Sequence, residues 1–453
     1  MKTIISLLLA AAITALPVSA SAQGENLEDV LGGFENGETT DRDDTTQEKE
    51  KRKWELNGSA TLSTSYNYAH KEPATAQTDY RGLSRMRAEL QLDLDVNLPR
   101  QWKLFASGRG FRDFAYSING RNNYTDDTLD TYENELELRG VYLQGSITKN
   151  MDIKTGRQVV VWGKSDNIRV TDVLNPLDNR EPGMVDIEDL RLPVSMTRLD
   201  YYIGDWNLTA IAIHETRLPK KPAFGSEFYP FPFTPPPEEA PPDNSEFAVA
   251  LNGIFSGWDI SFYYARVYDD IAHMEGNPSP AVLVQRFSRL NMLGTAINIA
   301  RGNWLLKAET ARFDGLEFFA LPGEKKSRYD ILIGVEYYGF TDSVISLEAV
   351  NRRIVGYDKR LINAPDFKKE NEFATALRFT RDFIHQTLHF VAVLITFGER
   401  GGDGGVQRFS LKYDVTDDYS VTGGIIAYQP GAGVPFGQLN DNDRIFLDIK
   451  YSF

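Results

Sequence analysis

Residues 82–98, GLSRMRAELQLDLDVNL, decide the fold. Arg85, Arg87, Glu89, Gln91, Asp93, Asp95 and Asn97 fall on one set of alternate positions. Met86, Ala88, Leu90, Leu92, Leu94, Val96 and Leu98 fall on the other. Successive side chains of a β-strand point to opposite faces. This strand therefore has one charged face and one apolar face, and needs two solvents. In a soluble sandwich a second sheet covers the apolar face. In a transmembrane barrel lipid covers it, and a watery lumen bathes the charged face.

The same alternation closes the chain. Ile445, Leu447, Ile449, Tyr451 and Phe453 alternate with Asp448, Lys450 and Ser452. A last strand of this kind, with Tyr451 two residues before a terminal Phe453, resembles the assembly signal of bacterial outer-membrane barrels. That resemblance implies the barrel-assembly machinery as a partner.

Between these two stretches, period-two segments are read near 54–69, 82–98, 102–118, 131–147, 151–162, 194–203, 206–215, 246–255 and 258–268. Nine more follow near 285–300, 303–313, 328–339, 343–353, 372–381, 387–398, 406–416, 419–428 and 443–453. The count is about 18, with 16 the next choice. The connections alternate short and long, as periplasmic turns and extracellular loops do. Proline cannot donate to a ladder and is confined to strand ends and edges. None of the twenty prolines after Pro17 falls inside a proposed strand, and nine crowd into 216–245. Trp102, Trp206, Trp258 and Trp304 each follow a short turn, where an aromatic belt at the membrane interface is expected. The fold expected is all-β, a transmembrane antiparallel barrel over residues 54–453.

Residues 1–22 read as a removable export signal: Lys2, an apolar run from Ile4 to Ala12, and the small-x-small site Ala20-Ser21-Ala22. No later stretch has the roughly 18 consecutive apolar residues of a membrane helix. The segment 23–53 reads as a disordered acidic periplasmic leader. It is too short for a plug domain, which disfavours a TonB-dependent receptor. The expected location is the outer membrane of a Gram-negative cell, among outer-membrane lipids and lipopolysaccharide.

Composition excludes other classes. The formal charge is −15, which argues against nucleic acid as a partner. There is no cysteine, so disulfide scaffolds, thiol catalysts and iron–sulfur clusters are out. No cofactor is expected. The five histidines have no convincing local partners, and a G-x-S-x-G elbow is absent.

One long connection carries specific motifs. It reads Gly156-Arg157-Gln158 to Trp162-Gly163, then Asn175-Pro176-Leu177-Asp178, Arg180-Glu181-Pro182-Gly183 and Leu192-Pro193-Val194-Ser195-Met196. This resembles a widespread outer-membrane family catalogued only as a domain of unknown function. Its pattern is G-R-Q-x-x-x-W-G, N-P-x-D, R-x-P-G and L-P-V-x-M; here Lys164 follows Trp-Gly where an acidic residue is more usual. The resemblance implies a place beside RND-type lipid exporters and periplasmic carriers similar to LolB. The function it implies is passage of a hydrophobic or amphipathic molecule. A passive substrate-selective porin is the alternative, and an outer-membrane hydrolase the second alternative.

The loop 163–193 is too long to be a plain connector. Ile168, Val170, Val173, Leu174 and Leu177 give it something to bury, and Ser165-Asp166 is read as the cap of a short helix. It is expected to fold into the lumen, with Trp162, Asp166, Arg169, Asp172, Asn175, Asp178, Arg180 and Arg191 forming a constriction. The wall it meets is read as Arg85, Arg87, Glu89, Asp93, Glu133, Glu135, Glu137, Arg139, Arg198, Asp200, Lys307, Glu309, Glu348, Arg352 and Arg378. Mixed signs on that wall suit a gated or plugged lumen.

Overall fold

The computed structural model describes residues 53–73, 77–185, 187–242, 246–278, 281–432 and 436–453. The expected signal segment and the leader up to Arg52 lie outside these residues.

Twenty strands follow in chain order: β1 (Trp54–Asn67), β2 (Gly82–Asn97), β3 (Lys103–Asp113), β4 (Asn134–Thr148), β5 (Met151–Gln158), β6 (Val194–Ile203), β7 (Trp206–Ile213), β8 (Glu246–Phe255), β9 (Trp258–Tyr268), β10 (His273–Pro278), β11 (Ala281–Arg286), β12 (Arg289–Arg301), β13 (Trp304–Leu316), β14 (Lys326–Phe340), β15 (Ser343–Val355), β16 (Asn371–Phe383), β17 (Leu388–Phe397), β18 (Gly404–Asp414), β19 (Tyr419–Gln429) and β20 (Arg444–Ser452). β10 and β11 make a separate hairpin; the other eighteen form one antiparallel sheet in which β9 pairs with β12. β1 pairs with β20 from Ser59↔Ser452 to Asn67↔Arg444, which closes the barrel. Closure leaves no end strand, the condition for a sheet in hydrocarbon. Eighteen strands, the expected number, are all present.

The two faces of the wall separate as the alternation requires. Leu62, Leu90, Leu92, Ile331, Ile333 and Leu347 point outward and are exposed, giving the band that meets lipid. At the end with the short turns, Trp54, Trp258 and Trp304 are exposed, and Phe255 stacks on Trp258 with centroids 4.4 Å apart. Of the four tryptophans expected in the belt, Trp258 and Trp304 are exposed and Trp102 and Trp206 half-buried, with Trp54 added at the same end; the chain is a multi-pass barrel of the outer membrane.

Five expectations need correction. The segment 102–118 leaves the sheet at Asp113, because Asp113 Oδ1 accepts from the Ala115 amide and a short helix, α1 (Ala115–Ile118), follows. A second helix, α2 (Asp126–Tyr132), precedes β4, capped by Thr125, whose hydroxyl accepts from the Thr128 amide at 3.2 Å. Glu133 thus ends a helix and is not a wall residue. The segment 151–162 leaves the wall after Gln158. The segment 285–300 enters the barrel only at Arg289, its first residues belonging to the β10–β11 hairpin. No helix forms after Ser165: the amides of Ser165, Asp166 and Asn167 are drawn to wall carboxylates, leaving no i→i−4 ladder.

Candidate functional site

The inner face of the barrel has two sectors. From β6 to β16 it is largely apolar and often small. Met196, Ala265, Met292, Leu332 and Ala376 are completely buried, and Ala248, Ala250, Ala311 and Ala374 nearly so. They are buried because the chain from Val159 to Pro193 turns into the lumen and lies on them. Val160, Trp162, Ile168, Val170 and Leu174 of this segment share one core with that wall. Trp162 stacks on Tyr263 with centroids 4.8 Å apart. The loop 163–193 therefore folds inward, as expected, but on an apolar bed as well as on charges.

Two wall carboxylates fix the first turn of the loop. Glu309 on β13 accepts from the amides of Ser165 at 2.7 Å and Thr171 at 3.2 Å, and from the Thr171 hydroxyl at 2.9 Å. Glu348 on β15, wholly buried, accepts from the Ser165 hydroxyl at 2.8 Å and from the amides of Asp166 and Asn167 at 2.9 and 3.0 Å. Gly163 has φ +87, and a Cβ there would lie 2.8 Å from Glu309 Oε1. A backbone curled round a carboxylate in this way is an anion nest. Lys307 on the same wall reaches Asp166 at 2.6 Å.

Further along, polar side chains tie the loop to itself. Asn175, wholly buried, accepts from the Val160 amide at 2.8 Å and donates to the Leu192 carbonyl at 2.8 Å, joining the two limbs. Arg191 holds Asp172 at 2.8 Å, and Arg169 donates to the carbonyls of Asp172 and Asn175 at 2.8 Å each. Trp162, Arg169, Asp172, Asn175 and Arg191 thus lie between loop and wall.

The tip of the loop crosses the lumen. Arg180 grips Asp178 and reaches Glu135 on β4 at 2.8 Å. Glu181 meets Arg85 at 2.6 Å and Arg87 at 3.3 Å, both on β2. Burial alone would push the Glu181 carboxyl up, but these guanidiniums outweigh it and hold it well below the usual carboxylate range. On the far side the Tyr428 hydroxyl of β19 donates to the Pro182 carbonyl at 2.6 Å. Gly183, with φ +82, sits so close to Val406 of β18 that a Cβ would come within 2.6 Å. The R-x-P-G turn needs its glycine for that approach. Sequence reading placed Glu181 in the loop without singling it out; its pairing with β2 has no local signal.

A second loop straps the extracellular end. Asn179 and Lys220 form backbone hydrogen bonds that join this strap, residues 214–242, to the inward loop. Lys220 bonds Glu135 at 2.6 Å and Glu137 at 3.0 Å, while Arg217 pairs with Glu137. The strap then reaches β20, where Glu227 pairs with buried Arg444 at 2.9 Å. Phe228 inserts beside Met184, Ile426 and Tyr428.

Below the tip lies the other sector, a charged cavity of about 400 Å³. It runs from Arg85 and Arg87, near the extracellular end of β2, to Ser420 and Lys450 at the periplasmic end of β19 and β20. Eight basic side chains line it, Arg85, Arg87, Arg109, Arg139, Arg180, Arg408, Lys412 and Lys450, against five acidic ones, Glu89, Asp178, Glu181, Asp189 and Asp448. Arg408 also lines an apolar recess of about 50 Å³ with Val185, Val393, Ile395 and Val406.

Of the expected residues, Asp178 and Arg180 of the loop and Arg85, Arg87, Glu89 and Arg139 of the wall meet at this cavity. Glu135 and Glu137 anchor Arg180, Lys220 and Arg217 at its rim. Glu348 is under the loop on the opposite wall, and Arg198 bonds Asp200 at 2.9 Å on β6, away from the cavity. At the seam, Phe453 and Gly58 exchange backbone hydrogen bonds of 2.9 and 3.0 Å, and Tyr451 stacks on Tyr419. Among the described residues no cluster of His, Cys, Asp and Glu is suited to a metal.

The sequence profile described as protein of unknown function (DUF1302) matches residues 3–453, and the chain belongs to that family. No curated protein matches its sequence. By fold it is similar to Pseudomonas aeruginosa OccK2 (OpdF), with TM-score 0.52 and 13% identity over 88% of this chain and 97% of that one. Acinetobacter baumannii OccAB4 gives TM-score 0.51 and 12% identity over 90% and 100%. The outer membrane protein opdK from Pseudomonas aeruginosa gives 0.50 and 12% over 88% and 99%. At these identities the likeness is one of fold.

Proposed function

We propose that this member of the DUF1302 family is a gated, substrate-selective pore that passes small anionic or amphipathic solutes across the outer membrane. The observation that carries the reading is the cavity, with its excess of basic side chains in a chain of net charge −15. A charged cleft with low-dielectric walls concentrates counter-ions. The tip 180–184 is its gate and Glu181 the latch. The apolar recess beside Arg408 suits a solute with one charged end and an apolar body. The fold is shared with outer-membrane barrels, which favours passive passage over a role tied to an exporter.

The test is single-channel recording in planar bilayers under a salt gradient. The expected result is low open occupancy, a reversal potential on the anion side, and block of the open state by amphipathic carboxylates. Cation selectivity would overturn the reading. The apolar recess also gives some support to the second reading, delivery of a lipid beside an RND-type exporter and a LolB-like carrier. Transfer of a labelled fatty acid into vesicles that depended on such a carrier, with no ion current, would select it.

A further inference from the structure

The ring is closed, but its strands differ in length where the inward loop leaves it. β5 and β7 both start at the tryptophan end and have eight residues each. A transmembrane strand needs roughly 9–11 residues, so both stop inside the outer leaflet. β4, the neighbour of β5, has fifteen. Its pairing with β5 ends at Val141↔Arg157, while its pairing with β3 continues up to Asn134↔Arg112. Residues 134–140, roughly 23 Å of strand at about 3.3 Å each, thus have a neighbouring strand on one side alone. The Asp113 amide donates to the Glu133 carbonyl, and in an antiparallel pair such bonded positions alternate. Glu135 and Glu137 therefore turn their main-chain groups to β3, and Leu136 and Leu138 turn theirs to the gap. Among the described residues no hydrogen bond reaches those groups. The side chains agree: Leu136 is 90% exposed, where the next most exposed large hydrophobic among the described residues, Ile333, reaches 67%.

The sill of the gap is polar. Val194, Met196 and Ile213 are buried inward, so by alternation Ser195, Thr197 and His214 face outward. Arg157 stands opposite Ser195 on the same face and pairs with Glu215 at 2.7 Å. On the inner side, side chains cross from β4 to the loops in place of a ladder: Lys220 reaches Glu135 at 2.6 Å, and Arg139 donates to the Asp189 carbonyl at 3.5 Å. Arg139, Arg180 and Asp189 also line the basic cavity. Bare N–H and C=O groups at membrane depth are tolerated where they line water. A bare strand edge above a polar sill and beside a charged cavity is therefore a place where water of the lumen reaches the wall. Leu136 and Leu138 form its apolar jamb, and guanidiniums stand behind them. That combination fits a molecule with an anionic head and one apolar tail.

We propose that the gap between β4 and β5 is a lateral portal, by which a single-tailed amphipathic anion passes between the cavity and the outer leaflet. The head stays with Arg139 and Arg180 while the tail lies over Leu136 and Leu138. The inference rests on the reading of the cavity as the solute's site, and adds the route and the shape of the solute.

The first test reads the wall without reference to transport, on the full-length barrel in lipid nanodiscs. By NMR the amides of Leu136 and Leu138 are expected to exchange with D2O at least about tenfold faster than those of Glu135 and Glu137. A bimane on Leu136→Cys, in a chain with no native cysteine, is expected to be quenched by spin-labelled lipid. Equal protection of the four amides, or no quenching, would overturn the portal. The second test reads the route, by block of the anion current in planar bilayers with butyrate and with dodecanoate. Heat-modifiable gel migration checks the folding of each variant. A bulky maleimide on Leu136→Cys is expected to weaken dodecanoate block about tenfold or more and to leave butyrate block within about threefold. The same label on Leu90→Cys, which shares the row of Leu136 through Gly110 but stands on unbroken wall, should change neither. Unchanged dodecanoate block in the labelled Leu136→Cys barrel, or equal weakening of both acids, would overturn the portal. A wild type that neither acid blocks would overturn the reading of the cavity instead, and exchange and quenching would still decide whether the wall is open.

Discussion

Replacing Glu181 by alanine removes the latch and leaves the barrel intact. Glu181 is held by Arg85 at 2.6 Å and by Arg87 at 3.3 Å. Breaking a fully buried pair costs about 3–5 kcal/mol. The Glu181 side chain keeps about a quarter of its surface exposed, so about 2–4 kcal/mol is the proper range after solvent screening. At 1.4 kcal/mol per factor of ten, the detached tip becomes roughly 30- to 700-fold more populated. Tyr428 and Arg180 still hold the neighbouring residues, so the tip loosens without unfolding. The assay is single-channel open occupancy in planar bilayers. A sharper anion preference accompanies opening, since one acidic side chain leaves the lining. An occupancy within about threefold of wild type would refute the latch. The pH profile adds a check. A depressed carboxylate stabilises the docked tip above its unfolded value, and that stability is lost only as pH falls through the folded value. Wild type should therefore stay closed at pH 5 and open only well below the usual carboxylate range; opening at pH 5 would point to another group.

Glu309→Gln with Glu348→Gln weakens the cradle of the first turn by about 2–4 kcal/mol, because charge-assisted acceptors become neutral ones. A lower heat-modifiability midpoint and a noisier baseline current are expected; an unchanged midpoint argues against the cradle. The chain has no native cysteine, so Phe228→Cys gives a single reporter on the strap. It should resist an extracellular maleimide in the wild-type background and react once Arg444→Gln frees Glu227; equal reactivity in both would show that the ion pair does not hold the strap. Removing Phe453 takes away the backbone exchange with Gly58 at the seam, and the assembled fraction in membranes should fall several-fold, read by heat-modifiable migration; full assembly would remove Phe453 from the signal.

The wall was legible in the sequence because its two solvents differ. Where one face is charged and the other apolar, as on β2 and β20, alternation gives strand, face and register together. Where the loop covers the inner wall, that contrast fades. On β8, Ala248 and Ala250 alternate with Phe247 and Val249, and both faces read as apolar. Small alanines on one face of β8, β9 and β16 were the available sign that something packs inside the barrel. The inward fold of 163–193 was expected from wall charge, and Glu309 and Glu348 do supply it, yet the loop also packs on an apolar bed. The partners of Glu181 and Glu227 were not legible. Arg85 lies 96 positions before Glu181 and Arg444 lies 217 after Glu227, and only barrel closure brings them together.

The tip of the inward loop belongs to a segment from the middle of the chain, yet its holders come from both ends. Arg85 and Arg87 are made early, and Val406 and Tyr428 late. A sheet whose first and last strands have not yet joined does not bring both sets together. The tip can dock only after the first and last strands have zipped, so docking is a late event that reports completion. A seam closed out of register shifts β2 against β19, and presents Glu181 and the Pro182 carbonyl with mismatched groups. The docked tip of the inward loop thus also reports that the seam between the first and last strands has closed.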